Sequence, residues 1–241
     1  MPLQTIEPMR LYRQIAGQIA SLIDSGEFRA GARLPPEREL AGLLGVSRTS
    51  VREAIIALEI AGRVEVRVGT GIFVTADRRA PDAGADRDVG PGPFELLAAR
   101  SLVEGEIAAL AARKATKLDL TALRETIDTM RAHAGADDFA VRDAADRAFH
   151  VRVAEASGNG ALPPIVRQLW DQRRGELWAK IEEHFHSPAL RSKTLTDHEA
   201  ITAAIAAHDA DGARAAMHRH LQRVTREFQR RWEAGARPAG H

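Results

Sequence analysis

Apolar residues recur at helical spacing early in the chain. Leu11, Ile15, Ile19 and Leu22 fall three or four apart before Gly26 interrupts them, and this period predicts a first helix from Leu11 to Ser25. LPPERELAGLLG follows. Pro35 and Pro36 suit a helix start, Glu37 and Glu39 suit its positive end, and Gly45 stops it after Leu43 and Leu44, so a short second helix is expected. Ser47 can cap a third helix that runs to about Ala61, with Val51, Ile55 and Leu58 on one side and Gly62 closing it. The period then changes. In RVEVRVGTGIFV, Val64, Val66 and Val68 alternate with charged residues ahead of a GTG and a second apolar run, which is the pattern of a β-hairpin.

Beyond Val74 the chain reads TADRRAPDAGADRDVGPGP, rich in Pro, Gly, Asp and Arg and nearly without apolar residues, as linkers are. Amphipathic segments resume at about 93–114, 118–132, 137–157, 161–184, 189–208 and 210–233, with no convincing strand among them. The expected fold is mainly α: an N-terminal winged helix-turn-helix with a small β wing, then a C-terminal all-α bundle. The expected domains are residues 8–75, a linker at 76–92, a helical domain at 93–233 and a flexible tail at 234–241. In a winged helix the third helix enters the major groove of DNA.

Composition narrows the chemistry. The 241 residues are 44 % hydrophobic, ample for packed cores in one or two domains. There is no cysteine, which excludes disulfides, zinc-thiolate sites and a cysteine nucleophile. The 34 basic and 33 acidic residues leave a net charge of +1, and residues 1–75 carry nine arginines and no lysine against eight acids. DNA binding must therefore rest on the motif rather than on bulk charge. No leader pattern and no stretch of about eighteen apolar residues occurs, so a soluble cytoplasmic protein without membrane contact is expected. HEAIT at 198–202 lacks a second histidine four residues on, and neither GxxxxGK[ST] nor GxSxG is present, so no enzyme is expected.

On the third helix Arg48 and Arg52 are four apart and share a face, with Val51, Ile55 and Leu58 turned inward. An arginine fork can bond both O6 and N7 of guanine. Ser47 and Ser50 are candidate phosphate partners, and Ser47 equally reads as a cap alone. Gly69 and Gly71 either let the wing turn tightly near the minor groove or only make the hairpin tip. In the helical part Asp146 and His150 share a helix face at spacing four and either grip one ion or form a simple pair. His198 lies three from both Leu195 and Ile201, on an inner face. Met217, Leu221, Val224 and Phe228 form an apolar stripe that His220 borders while His218 points away. One carboxylate and three neutral imidazoles suit zinc, with nickel or manganese as alternatives; otherwise these are satisfied bundle histidines.

The stretch PPERELAGLLGVSRTSVREAIIALEIAGRVEVRVGTGIFV resembles the DNA-binding domain of the GntR family of bacterial transcription regulators. The helical part resembles that family's FadR-type C-terminal domain through LVEGEIAALAA, DRAFH, EASGN, DHEAI and MHRHL. The resemblance places Arg38, Arg48, Thr49 and Arg52 at the DNA and matches Asp146, His150, His198 and His220 to the metal ligands of that domain type. It also matches Arg100 to an arginine facing the effector cavity. Arg152, Arg173 or Arg174 can add positive charge there. Trp170, Arg174 and Trp178 fall four apart, either as an aromatic wall beside a guanidinium or as core residues. Asn159 reaches the pocket or only ends a helix.

Within the branch, PFELLAARSLVEGEIAALAA and RGELWAKIEEHFHSPALRSKTLTDHEAI look most like the repressors of hexuronate utilisation. That likeness implies a homodimer on a palindromic double-stranded operator, released by a small organic acid such as a hexuronate or aldonate bound beside the metal. The alternatives it leaves are an acyl-CoA or other carboxylate sensor, an activator, and a dimerisation module holding a structural ion.

Overall fold

In the computed structural model, which describes residues 11–67, 70–76, 91–133, 139–173, 178 and 188–235, the first apolar stripe folds as α1 (Leu11–Asp24). Its buried line is Tyr12, Ile15, Ile19 and Ile23, whereas Leu11 is 41 % exposed. The expected stripe through Leu11 and Leu22 is thus displaced by one position at each end. A strict 3.6-residue period admits either line at the ends, and the tyrosine ring and β-branched Ile23 take the inner places. α2 (Glu37–Leu44) ends on Gly45, whose φ of 66° is left-handed backbone that a glycine adopts without strain. Ser47 caps α3 (Arg48–Ile60), its hydroxyl accepting from the Ser50 amide.

α3 is the centre of this first part, packed against α1, α2 and β1. Val51, Ala54, Ile55, Ile56 and Leu58 are all buried. Gly62 then turns the chain into β1 (Val64–Arg67), antiparallel to β2 (Gly71–Val74) with Val64 opposite Val74 and Arg67 opposite Gly71. The chain between α1 and α2 lies along β2: Arg33 bridges Phe73, Leu34 N–H donates to Ile72, and Val74 N–H donates to Ala32. That lateral pairing fixes the wing to the helices. Val68 lies outside the described residues, as does most of the expected linker and tail.

The second part is helical throughout its described residues. α4 (Pro93–Lys114) leads to α5 (Lys117–Ala132), whose start is a capping box between Thr116 and Asp119. α6 (Phe139–Ala156), α7 (Leu162–Asp171), α8 (Pro188–Ala206) and α9 (Ala210–Gly235) follow. α6 packs on α5 and α7, and α8 packs on α5. Leu123, Ile127, Phe149, Val153, Ile201, Ile205, Met217 and Leu221 form the core. Mainly α with a small wing is the expected fold class. The single helix expected over 161–184 instead ends at Asp171: Arg173 N–H bonds back three residues to Trp170, tightening the last turn, and its side chain is held by Asp143 at 2.7 Å. By contact the described residues divide into two compact units, those within 11–95 with 178 and 228–235 in one, and those within 96–173 and 188–227 in the other. Among the described residues no helix is long and apolar enough to cross a membrane.

Because Ile55 is fully buried in the middle of α3, Ile55→Ala should cost about 2–5 kcal/mol. Leu43→Ala, at a position 72 % exposed, should stay within about 0.5 kcal/mol. Urea denaturation of the two variants measures the contrast.

Candidate functional site

The start of α3 presents a narrow polar stripe. Ser47, Arg48 and Thr49 are exposed, as is Arg38 on α2, and Arg52 is partly exposed. Arg52 is gripped by Glu37: its Nε lies 3.0 and 3.2 Å from the two carboxylate oxygens and its Nη2 lies 2.7 Å from Oε2. Ser50 is not on this stripe. It is 1 % exposed, its hydroxyl 2.9 Å from Ser47 Oγ and 3.1 Å from Glu95 Oε1, because one helical step past Thr49 the face turns inward. Glu53, also buried, accepts the Phe94 N–H at 2.7 Å. Gly71 sits at the base of the wing with φ 132°, and a Cβ there would collide with the Arg33 guanidinium. Gly69 lies outside the described residues.

The helical part gathers four residues from three helices. Asp146 and His150 on α6, His198 on α8 and His220 on α9 each offer one ligand atom, and these atoms lie within 4.8 Å of one another. The three histidines are buried, and the Asp146 side chain keeps 27 % of its exposure. Asp146 Oδ1 lies 3.6 Å from His150 Nε2 and 3.4 Å from His198 Nε2, and none of these three atoms has a hydrogen-bond partner among the described residues. Buried polar atoms are ordinarily satisfied. Three that converge without a bond have the donor set and spacing that a divalent cation completes.

Carboxylates behind the ring nitrogens fix the imidazoles. Glu104 on α4 accepts a short hydrogen bond from His150 Nδ1, and its other oxygen accepts from Arg100 Nε at 2.6 Å. Burial opposes the charge on Glu104, yet Arg100 and His150 together bring its pKa down to about 2. An ionised carboxylate only accepts, so His150 Nδ1 donates to Glu104 and Nε2 is the ring nitrogen that faces Asp146. His220 repeats the arrangement more loosely, with Nδ1 3.4 Å from Asp197 Oδ2, and Arg223 holds Asp197 from the far side at 3.1 Å. Carboxylates behind metal-binding imidazoles set tautomer and orientation in this way. Burial, reinforced by His220, pushes His198 well toward the neutral form; burial also lowers His220, against the opposing pull of Asp197. Burial disfavours the Asp146 charge too, but His150 and His198 hold the carboxyl far on the ionised side. Burial favours neutral His150, but Glu104 and Asp146 together move its pKa upward. The Phe149 ring stacks on His198 at 4.0 Å and holds its plane.

Arg100 borders this cluster. It is 3 % exposed, its guanidinium carbon lies 4.1 Å from the Trp170 ring centroid, and its Nη2 is buried without a hydrogen-bond partner among the described residues. Arg173 also lies over Trp170, at 4.0 Å. Other sequence candidates fall elsewhere. Arg152 is on the exposed side of α6, paired with Glu155 at 2.8 Å. Asn159 uses its side-chain oxygen to accept the Ala161 N–H in the turn before α7. Both side chains are exposed. Trp178 is buried, and Arg174 lies outside the described residues. Glu104 and Asp197 were not singled out from sequence; Glu104 stands one turn after Arg100, a spacing that carried the signal.

A wing behind three short helices, followed by an all-α domain with a histidine cluster, defines a two-part transcription regulator. Residues 11–74 match the family model described as bacterial regulatory proteins, gntR family, and residues 95–223 match that of the FCD domain. The chain belongs to the gntR family of bacterial regulatory proteins, with an FCD domain as its helical part. It is 39 % identical to the Uxu operon transcriptional regulator of Escherichia coli strain K12, over 89 % of this chain and 85 % of that one. It is 40 % identical to the Exu regulon transcriptional regulator of the same strain, over 91 % and 85 %. Among solved structures, E. coli McbR/YncC shares the fold with a TM-score of 0.51 at 23 % identity, covering 92 % of this chain and 99 % of that one.

Glu104→Ala strands a buried guanidinium and removes the acceptor of His150, so it should cost about 3–5 kcal/mol. Glu106→Ala, which breaks only the exposed pair with Arg214, should leave the urea midpoint nearly unchanged.

Proposed function

We propose that the chain is a repressor that binds a palindromic operator as a homodimer in the cytoplasm and is released by a sugar acid, such as a hexuronate or aldonate, held beside a divalent metal in the helical domain. The observation that carries the effector reading is Arg100 Nη2, a buried cationic donor without a hydrogen-bond partner among the described residues, beside a cluster in which Asp146 Oδ1, His150 Nε2 and His198 Nε2 likewise have none. A small carboxylate answers both needs, since guanidinium and carboxylate pair strongly when dehydrated. The relatives named for the Uxu operon and the Exu regulon support a sugar acid over other carboxylates.

Asp146, His150, His198 and His220 would hold the metal, and zinc suits one carboxylate with three imidazoles. Bound there, the ion supplies a positive centre on which an acid's oxygen can rest. Glu104 and Asp197 orient the imidazoles, Arg100 receives the carboxylate, and Trp170 excludes water from the guanidinium. On the DNA side Arg48 and Arg52 read base edges, Thr49 and Arg38 join them, and Ser47 remains as cap and phosphate neighbour. Two recognition helices then meet half-sites about one helical turn, 34–36 Å, apart. Effector binding and DNA binding are coupled, each weakening the other by the same factor. Both parts serve binding rather than catalysis.

Thermal unfolding of the zinc-loaded protein against hexuronates, aldonates, lactate, dicarboxylates and acyl-CoA, repeated after chelation, tests this reading. A ligand that binds only the folded form raises the midpoint by mass action. A sugar acid should do so, and chelation should abolish the shift. Stabilisation by acyl-CoA alone would make the protein a lipid sensor instead. His150→Ala with His198→Ala should release the metal, and unchanged metal content by elemental analysis would remove the site assignment.

A further inference from the structure

The two arginines on the DNA-reading face of α3 are in different states. Arg48 is exposed and makes no hydrogen bond or ion pair to a described residue. Arg52, one turn on, is clamped by Glu37 from the first turn of α2 through Nε and Nη2 at 2.7–3.2 Å, with both side chains largely covered at 25 % and 19 % exposure. Such a grip takes the Nε side of the guanidinium. Nη2 carries a second hydrogen beside those of Nη1, and the edge these two nitrogens form matches O6 and N7 of guanine.

A carboxylate at a DNA-facing surface carries an electrostatic cost, because it repels phosphates and weakens binding to every sequence alike. What it gives in return is orientation. An arginine swings through many rotamers before it meets a base, and a bidentate partner removes that freedom in advance. We propose that Glu37 is a specificity-determining positioning residue: it aims the Arg52 guanidinium at one guanine in each half-site, while Arg48 engages the DNA without such a guide. This inference rests on the reading of α3 as the DNA-reading helix given above. Glu37 also stands at the positive end of α2, where its charge favours the helix, so the test needs a readout that helix stability alone does not move.

The full-length protein is used to select binding sites from randomised duplex DNA, and affinities are then measured on the selected site, on its single-base variants and on random duplex. The wild type should require guanine at one position of each half-site. Arg52→Ala should lose that preference. Glu37→Gln should lose about tenfold of the discrimination at the same position alone, with binding to random duplex unchanged or tighter. The double variant should match Arg52→Ala, because the carboxylate acts only through the guanidinium. If Arg52→Ala abolishes the preference and Glu37→Gln leaves it intact, the positioning role is overturned while α3 still reads DNA. Additive losses in the double variant would overturn it as well. If Arg52→Ala leaves the selected bases unchanged, the assignment of Arg52 to base reading falls, and the role of Glu37 with it.

Discussion

Glu104 is a charge buried at a cost that only its partners offset. One oxygen takes Arg100 and the other takes His150, and without both the carboxylate would have to be protonated or expelled to water. Everything in the helical site follows from that placement. The bond to His150 Nδ1 decides which ring nitrogen faces Asp146, and the bond to Arg100 anchors one side of the guanidinium and leaves Nη2 without a hydrogen-bond partner among the described residues. α4 thus carries no atom of the four-residue cluster, yet it sets the orientation of one imidazole and the place of the cation beside it.

The DNA-facing part shows the opposite economy. Arg48 stays exposed and Arg52 is partly exposed, and the helix that bears them is otherwise almost wholly core. Ser50, two residues before Arg52, and Glu53, one after it, are buried, facing Glu95 and the Phe94 amide. The polar stripe is accordingly only a few residues wide. A reading head this narrow has little room for error in the direction of each side chain.

Periodicity made the helices legible, along with the hairpin, because spacing by 3.6 or by 2 is a local property of the chain. The four-residue cluster was legible for a similar reason: Asp146 and His150 share a face by arithmetic, and His198 and His220 flank apolar stripes. The resemblance to known regulators raised those positions above ordinary bundle histidines. What spacing does not encode is contact between distant segments. Glu104 meets His150 across 46 positions and Ser50 meets Glu95 across 45, so the one was not singled out and the other read as a candidate phosphate partner. The early end of α7 has the same origin, since Asp143, the residue that holds Arg173, comes from α6.

Trp170 lies against Arg100, Arg173 and, at 5.2 Å between centroids, the His150 ring. The excited state of an indole moves electron density across its ring system, so its emission follows the field of nearby charges. The protein therefore carries an intrinsic optical probe at the edge of its histidine cluster. Trp170 is one of three tryptophans, and its share of the ultraviolet emission shifts when charge on those imidazoles changes or a guanidinium is drawn away, with no label attached.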